Sequence, residues 1–171
     1  MTLPISARQL NALIALACLA GMAFALYLQY VENLEPCPLC MTQRVFISLV
    51  GLIGFLAFIQ NPAVTGRRIY ASIGLIFGLL GAGFSSRQIW LQHLPPEQVP
   101  ACGPSLQYML ETLPFTDTLK IMMTGDGNCA EITWTLFGLS IPMWVFAMFA
   151  GLIICNLYLI ADKSLQSGAS N

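Results

Sequence analysis

Four long apolar stretches alternate with shorter polar segments along this chain of 171 residues. These stretches contain no Asp, Glu, Lys or Arg, and they cover residues 9–31, 45–66, 69–86 and 132–161. A helix needs about 20 residues to cross the hydrocarbon core of a membrane, so each stretch is long enough or nearly so. Backbone groups cannot stay unpaired in lipid, and the two-residue alternation of a barrel strand is absent. The pattern predicts an all-α membrane protein, a bundle of four transmembrane helices.

Turn and interface signals set the limits of these helices. Tyr27 and Tyr30 suit an interfacial aromatic belt, Asn61-Pro62 is a stop signal, and Pro142 fits the first turn of a helix. The whole chain, residues 1–171, is predicted to be a single membrane domain. We place the four spans at residues 11–30, 42–60, 69–86 and 140–160.

Prolines and glycines add two local predictions. Pro36 and Pro38 restrict the backbone before the second span, so helix two is expected to begin near Met41. Gly74 and Gly78 lie four residues apart on the third span, which predicts a close approach of a neighbouring helix.

The segment of residues 87–139 is long for a structureless connection. Apolar residues recur within it at helical spacing in two places, which predicts short amphipathic helices. Such helices would lie flat on the membrane surface or form a small lid on the bundle, and the two interpretations are compatible. The recurring residues are Leu106, Met109, Leu110 and Leu113, followed by Phe115, Leu119 and Met122.

The distribution of basic residues predicts the orientation in the membrane. With four crossings, both termini and the loop 61–68 share one side, which carries Arg8, Arg67, Arg68 and Lys163. The other side carries Arg44, Arg87 and Lys120 over many more residues. The positive-inside rule therefore predicts an inner (cytoplasmic) membrane protein of a bacterium, with residues 1–10, 61–68 and 161–171 cytoplasmic and the loops 31–41 and 87–139 periplasmic. Disulfides persist on that outer side.

The first 25 residues also resemble a secretory signal peptide, with Ala23-Phe24-Ala25 as a cleavage site. The apolar run continues through Leu28, however, which makes it longer than a typical signal core. Cleavage would also leave only three spans. An uncleaved first helix is therefore favoured.

Composition agrees with a lipid environment and narrows the partners. The chain is 57% hydrophobic and 9% charged, with a mean hydropathy of +0.73. The formal net charge is −1 and no basic cluster is present, so nucleic acid is an unexpected partner.

Four cysteines lie outside the apolar stretches, and the predicted topology places all four on the same face. Cys37 and Cys40 form a Cys-Pro-Leu-Cys motif, and Cys102 and Cys129 are 27 residues apart in one polar loop. A CxxC motif favours dithiol–disulfide exchange. A zinc site usually needs two close ligand pairs and haem attachment needs a histidine after the second cysteine, so no metal is predicted. Two further cysteines lie in mid-helix and are expected only to pack; they are Cys18 and Cys155.

Arg44 follows Cys40 by one helical turn, so its guanidinium can approach the sulfur. Together with the positive end of the helix dipole, it would favour the reactive thiolate. The alternative is an arginine that reaches to lipid headgroups. The sequence has no dinucleotide-binding fingerprint, which leaves a lipid-soluble electron acceptor, and a quinone fits.

Taken together, these motifs resemble the disulfide bond formation protein B (DsbB) family over residues 10–160. The resemblance rests on the CxxC motif with Arg44 and on three further segments, Trp90-Leu91-Gln92, Val99-Pro100-Ala101-Cys102-Gly103-Pro104 and Gly127-Asn128-Cys129-Ala130-Glu131. It implies an enzyme that reoxidises the soluble periplasmic thiol oxidase DsbA and passes electrons to ubiquinone or menaquinone.

The resemblance also implies roles for single residues. Cys37–Cys40 would be the disulfide next to the quinone, Cys102–Cys129 the loop disulfide, and Arg44 the arginine beside the quinone. Some relatives are expected to carry a histidine just after helix three, where this chain has Arg87-Gln88. The only histidine is His93, five residues further on, so no histidine is assigned to the quinone site.

A relay of disulfide exchanges follows from these assignments. A thiolate of the partner attacks Cys102, which the resemblance implies, and frees Cys129 to attack Cys37 and release Cys40. One alternative is a relative that serves a different thiol partner. Another is a structural or transport protein whose loops are merely stapled by disulfides and which has no redox turnover.

Overall fold

Four long apolar helices form the body of the protein in a computed structural model that describes residues 6–103, 108, 111–112 and 114–161. Each of the four is long and apolar enough to cross a membrane. They are α1 (Ala7–Tyr30), α2 (Pro38–Gln60), α3 (Val64–Gln92) and α5 (Ile141–Ala161). The predicted all-α membrane fold is therefore confirmed.

Shorter elements fill the connection between α3 and α5. A turn of 3₁₀ helix (Pro96–Gln98) is followed by helix α4 (Phe115–Thr124) and a second 3₁₀ turn (Gly127–Ala130). The strands β1 (Thr135–Leu136) and β2 (Leu139–Ser140) then pair antiparallel as a hairpin just before α5. This hairpin was not predicted from the sequence.

The order of packing leaves a gap on one side of the bundle. Helix α1 packs along α2, α2 along α3, and α3 along α5, whereas α1 and α5 meet over only a short stretch. At that meeting point a Cβ atom on Gly21 would lie 2.9 Å from the sulfur of Met148. The space between α1 and α5 beside this contact is where a cavity forms.

Glycines on α3 bring it close to α5, as their spacing predicted. A Cβ atom on Gly74 would lie 2.7 Å from the side-chain oxygen of Asn156, and one on Gly81 would lie 2.2 Å from the ring of Phe149. Phe149 is fully buried in the core of the bundle. The prediction of close helix packing is confirmed, and it extends one turn beyond Gly78.

The start of α2 corrects the prediction that it begins near Met41. The helix begins at Pro38, because a proline at the first helical position has a suitable φ and lacks an N–H that would have no partner there. Cys37 is the N-cap residue. Both cysteines of the CxxC motif therefore belong to the first turn of the helix.

The predicted limits of two other helices were too narrow. Helix α1 starts at Ala7 and not at residue 11, since Ser6 and Gln9 form a capping box. Helix α3 extends beyond the predicted residues 69–86 at both ends. A charged residue can mark the edge of the membrane-embedded surface while the helix itself continues past it. Arg87, for example, lies 4.6 Å from the ring centroid of Trp90 and donates to the Thr124 carbonyl at 3.4 Å.

One of the two predicted amphipathic helices is confirmed as α4. It packs on α2, where the Thr42 hydroxyl donates to the Met122 carbonyl at 2.9 Å, so α4 forms part of a lid on the bundle. The other predicted helix depends on residues that lie outside the described part of the chain. Those residues are Leu106, Met109, Leu110 and Leu113.

Candidate active site

The CxxC motif is shaped by the first turn of α2. The backbone N–H of Cys40 points at the sulfur of Cys37, 3.4 Å away, and the two sulfurs are 2.9 Å apart. Cys37 is buried and Cys40 is half-buried. An N–H group at a helix start has no partner within the helix and carries a partial positive charge, so this position favours sulfur as an acceptor.

Cys129 joins this pair from the far end of the long connection. It is completely buried and packs in one cluster with Cys37, Leu39 and Leu91. Hydrogen bonding to the thiol of Cys129, then to that of Cys40, together with burial, raises the pKa of Cys37 above the usual range of a thiol. The structure therefore gathers three of the four predicted cysteines in one site.

Cys102 is the fourth cysteine, and it is exposed on the surface of the loop. Its neighbour Ala101 accepts a hydrogen bond from the backbone N–H of Gly127 at 3.2 Å. A Cβ atom on Gly127 would lie 3.0 Å from the sulfur of Cys102 and 2.5 Å from the Pro100 carbonyl oxygen, so only glycine allows this approach. The two disulfide pairings stay a prediction.

Asp126 connects the two loop segments that carry Cys102 and Cys129. Its buried carboxylate accepts the backbone N–H of Gly103 at 3.2 Å and the side-chain amide of Asn128 at 3.1 Å. The thiol of Cys129 lies 3.6 Å from the other carboxylate oxygen. This residue was missed in the sequence, where the only signal was its place three positions before a cysteine.

Two glutamines form a hydrogen-bonded pair between α2 and α3 beside the CxxC motif. The side-chain N–H₂ group of Gln88 lies 3.3 Å from the sulfur of Cys37 and 3.2 Å from that of Cys40. Its oxygen accepts a hydrogen bond of 2.8 Å from the amide of Gln43. Gln88 was noted in the sequence only as a position that lacks a histidine. The signal was a polar stripe on α3, formed by Ser85, Gln88 and Gln92.

Arg44 projects from α2 towards α1. Its guanidinium donates to the carbonyl of Ala25 at 3.0 Å and to the side-chain oxygen of Gln29. The group is therefore held by polar atoms of the protein, which satisfies a charge that would otherwise be costly at this depth. The hydrogen bonds of Arg44 to Ala25 and Gln29 lie on α1, and its predicted approach to the sulfur of Cys40 and its place beside a quinone stay predictions.

A cavity of about 380 Å³ lies in the gap between α1 and α5. Cys37 and Cys40 border it, together with Arg44 and Gln88. Apolar and aromatic side chains form most of the remaining wall, among them Phe24, Trp134 and Trp144. A largely apolar pocket with a few convergent polar groups is typical of a small-molecule site.

The remaining candidates lie apart from this site. His93 is exposed at the end of α3, where a ring nitrogen lies 2.8 Å from the carbonyl oxygen of Ile89. Cys18 is buried in the core of the bundle against Gly51, and Cys155 packs at the edge of that core. The positions of these two cysteines agree with the predicted packing role.

A helical membrane protein with a cysteine pair at a helix start, beside a further buried cysteine, has the architecture of a membrane thiol oxidoreductase. The sequence model described as "Disulfide bond formation protein DsbB" matches residues 7–159. The chain belongs to this family of disulfide-forming oxidoreductases, as the resemblance predicted.

Curated relatives agree with this assignment over most of their length. Disulfide bond formation protein B of Saccharophagus degradans is 49% identical over 153 residues, which cover 90% of this chain and 92% of the relative. The protein of the same name from Methylococcus capsulatus is 51% identical, with 89% and 92% covered. Disulfide bond formation protein B 1 of Pseudomonas aeruginosa is 46% identical, with 84% and 88% covered. The chain is thus similar to bacterial membrane proteins named for disulfide formation.

Proposed function

We propose that this protein reoxidises a periplasmic, DsbA-like thiol oxidase by disulfide exchange and passes the two electrons to a membrane quinone. The observation that carries the proposal is the packing of three cysteine sulfurs next to one another at the cavity, with the fourth cysteine on a neighbouring exposed loop. Cys129 packs against Cys37, and Cys37 lies 2.9 Å from Cys40 at the cavity wall. The exposed Cys102 stands at the outer end, on a segment bonded to that of Cys129.

Each exchange in this relay balances in bonds and electrons. A thiolate of the partner attacks the sulfur of Cys102, forms a mixed disulfide, and releases Cys129 as a thiolate. Cys129 then attacks Cys37, and the Cys37–Cys40 bond breaks with its electron pair on Cys40. The partner's second thiolate then attacks the mixed disulfide and releases Cys102 as a thiolate. Cys102 attacks Cys129 and breaks the Cys129–Cys37 bond, which restores the loop disulfide and leaves Cys37 and Cys40 reduced. Exchange of this kind needs an accessible attacking thiolate and a good leaving thiolate.

The residues around the cavity fit a quinone. Aromatic side chains such as Phe24 and Trp144 offer faces for a flat ring, and the gap between α1 and α5 has room for an apolar tail towards lipid. Arg44 and Gln92 have N–H groups that suit carbonyl oxygens. A quinone held there, ubiquinone or menaquinone, would supply the acceptor for two electrons and two protons as Cys37 and Cys40 return to a disulfide.

The proposed orientation places the cysteine end of the bundle in the periplasm. The start of α2, the end of α3 and the start of α5 all contribute to the cavity, so the site lies at a single end of the bundle. Arg67 and Arg68, in the first turns of α3, belong to the opposite end. This distribution supports cytoplasmic termini and periplasmic cysteines.

Quinone reduction by the purified protein tests the proposal. We expect absorbance of ubiquinone-1 or of a menaquinone analogue to fall when a reduced DsbA-like protein is added, with one quinone consumed per dithiol oxidised. The control is the double variant Cys102→Ser with Cys129→Ser, which cannot accept electrons from the partner. A protein with inert structural disulfides would give no quinone consumption above this control, and that result would reject the proposal.

A further inference from the structure

The exchange steps described above assign no role to the hydrogen-bonded pair of Gln43 and Gln88. Both side chains are almost fully buried between α2 and α3, with 2% of Gln43 and 3% of Gln88 exposed. Burying an amide side chain costs free energy unless it is hydrogen-bonded. Two apolar side chains of similar size could pack here without needing hydrogen-bond partners. Their contacts therefore indicate what the pair contributes.

The contacts of Gln88 are directed at the two sulfurs. Its N–H₂ group lies 3.2 Å from Cys40 and 3.3 Å from Cys37, distances at which N–H groups can donate to sulfur. The thiol of Cys40 also lies 3.6 Å from the oxygen of the same amide. Arg44, the nearby cation, directs its guanidinium to Ala25 and Gln29 of α1. Apart from the thiol of Cys37 within the motif, 2.9 Å away, the hydrogen-bonding group at the sulfur of Cys40 is thus the amide of Gln88 and not the cation.

Gln43 determines which end of the Gln88 amide faces the sulfurs. An amide can turn by half a rotation, which would exchange its N–H₂ group for its oxygen. The N–H₂ group of Gln43 donates to the Gln88 oxygen at 2.8 Å, and this bond would be lost after such a rotation. While Gln43 keeps the orientation seen here, rotation of the Gln88 amide alone is disfavoured, and its N–H groups stay aimed at Cys40, where an oxygen would repel a thiolate.

We propose that Gln88 is a catalytic hydrogen-bond donor to the thiolate of Cys40, and that Gln43 is the positioning residue that keeps the Gln88 amide in this orientation. The inference rests on the proposed exchange at Cys37. When a thiolate attacks Cys37, the Cys37–Cys40 bond breaks and Cys40 receives the electron pair. A donor already in place lowers the free energy of that leaving group without adding a charge to the cavity.

The pH profile of Cys40 alkylation tests this role without any quinone. We would use the full-length protein in detergent with Cys37→Ser, iodoacetamide as the probe, and mass spectrometry of the Cys40 peptide. Gln88→Met removes the donor at similar length, and we expect the alkylation midpoint to rise by about one pH unit or more. Gln43→Met should raise it by less, because the amide of Gln88 remains but is free to rotate.

Ser85→Ala is the matched control. This buried hydroxyl lies one turn before Gln88 on α3 and donates to the Gly81 carbonyl of its own helix at 3.0 Å. Its removal should leave the midpoint unchanged. Equal shifts in Ser85→Ala and Gln88→Met would show general loosening of α3 and would overturn the proposal. An alkylation midpoint in Gln88→Met equal to that of the parent would also overturn the proposal. If Gln88→Met does not fold, a parent-like midpoint in Gln43→Met would do the same.

The same variants separate this inference from the proposed function. A parent protein that fails to reduce quinone rejects the function, whatever the alkylation profile shows. A parent that turns over, with unchanged profiles in Gln88→Met and Gln43→Met, rejects the donor role alone.

Discussion

The two cysteine regions of this protein are built in different ways. Cys37 and Cys40 belong to the first turn of a long helix, and buried neighbours hold their sulfurs from several sides. Cys102 lies exposed on a loop whose geometry depends on hydrogen bonds to the segment around Asp126. A helix start offers fixed N–H groups that stabilise the negative charge of a thiolate, whereas an exposed loop can be reached by another protein. This difference fits the proposed function, in which the helix start with Cys37 and Cys40 transfers electrons to the acceptor and the loop with Cys102 binds the partner protein.

Cys129 shows that the boundary between these regions does not follow the sequence. It is paired with Cys102 in the predicted oxidised state, and Asp126 connects the two loop segments. Its side chain is nevertheless fully buried against Cys37. One cysteine of the loop pair therefore faces outward while the other already lies within the inner site.

Loss of the inner pair should have the largest effect. In Cys40→Ser, and likewise in Cys37→Ser, no dithiol remains to deliver two electrons, so quinone reduction should fall to background. Stopped-flow measurement of quinone absorbance with a reduced partner protein checks this. Full turnover by Cys40→Ser would contradict the assigned roles of the inner pair.

Arg44→Met should weaken use of the quinone while leaving exchange with the partner intact. A hydrogen bond from a charged donor contributes about 1.5–3 kcal/mol, so we expect the quinone KM to rise about tenfold or more. Steady-state titration with quinone measures this. The matched control is Arg87→Met, which removes an exposed cation stacked on Trp90. If both variants keep the parent KM, Arg44 has no role at the acceptor.

Asp126→Ala should affect the outer region more than the inner one. It leaves the N–H of Gly103 and the amide of Asn128 without their acceptor, at a cost of about 1–3 kcal/mol to the loop. We expect turnover with the partner protein to fall several-fold while the KM for quinone is unchanged. Asp117→Asn, at an exposed position of α4, is the control. An equal loss in both variants would argue against a specific role for Asp126.

The two cysteines within the bundle should give the smallest effect. Cys18 and Cys155 pack among apolar side chains away from the cavity, so Cys18→Ala and Cys155→Ala should keep nearly full turnover. Quinone-reduction rates of the folded variants provide the measurement. A strong loss of rate would show that one of them takes part in electron transfer.

The helices could be predicted from the sequence because a helix that crosses a membrane needs an apolar run of about 20 residues, and runs of that length are visible in the sequence. The sequence also indicated Cys37, Cys40 and Arg44 as one local group, since spacing within one helical turn is visible in the sequence. The start of α2 was misplaced because Pro38 was taken as a helix breaker when its position made it a helix start. The ends of α3 were missed because the charges on Arg68 and Arg87 were taken as helix ends.

The contacts that assemble the site could not be predicted from the sequence. Gln88 comes 48 residues after Cys40, and nothing local indicates that their side chains meet. The burial of Cys129 against Cys37 likewise depends on how the connection after α4 folds back onto α2 and α3. Such contacts depend on the tertiary packing of distant segments, which periodicity and spacing do not encode.

The order of the relay is tested most directly by trapping it with a partner protein that lacks its second, resolving cysteine. Peptide mapping under non-reducing conditions would identify every disulfide in the trapped complex. The exposure of Cys102 and the burial of Cys129 beside Cys37 predict two bonds together. The partner should be attached to Cys102, and Cys129 should be bonded to Cys37. A partner attached to Cys129, or directly to Cys40, would contradict the relay.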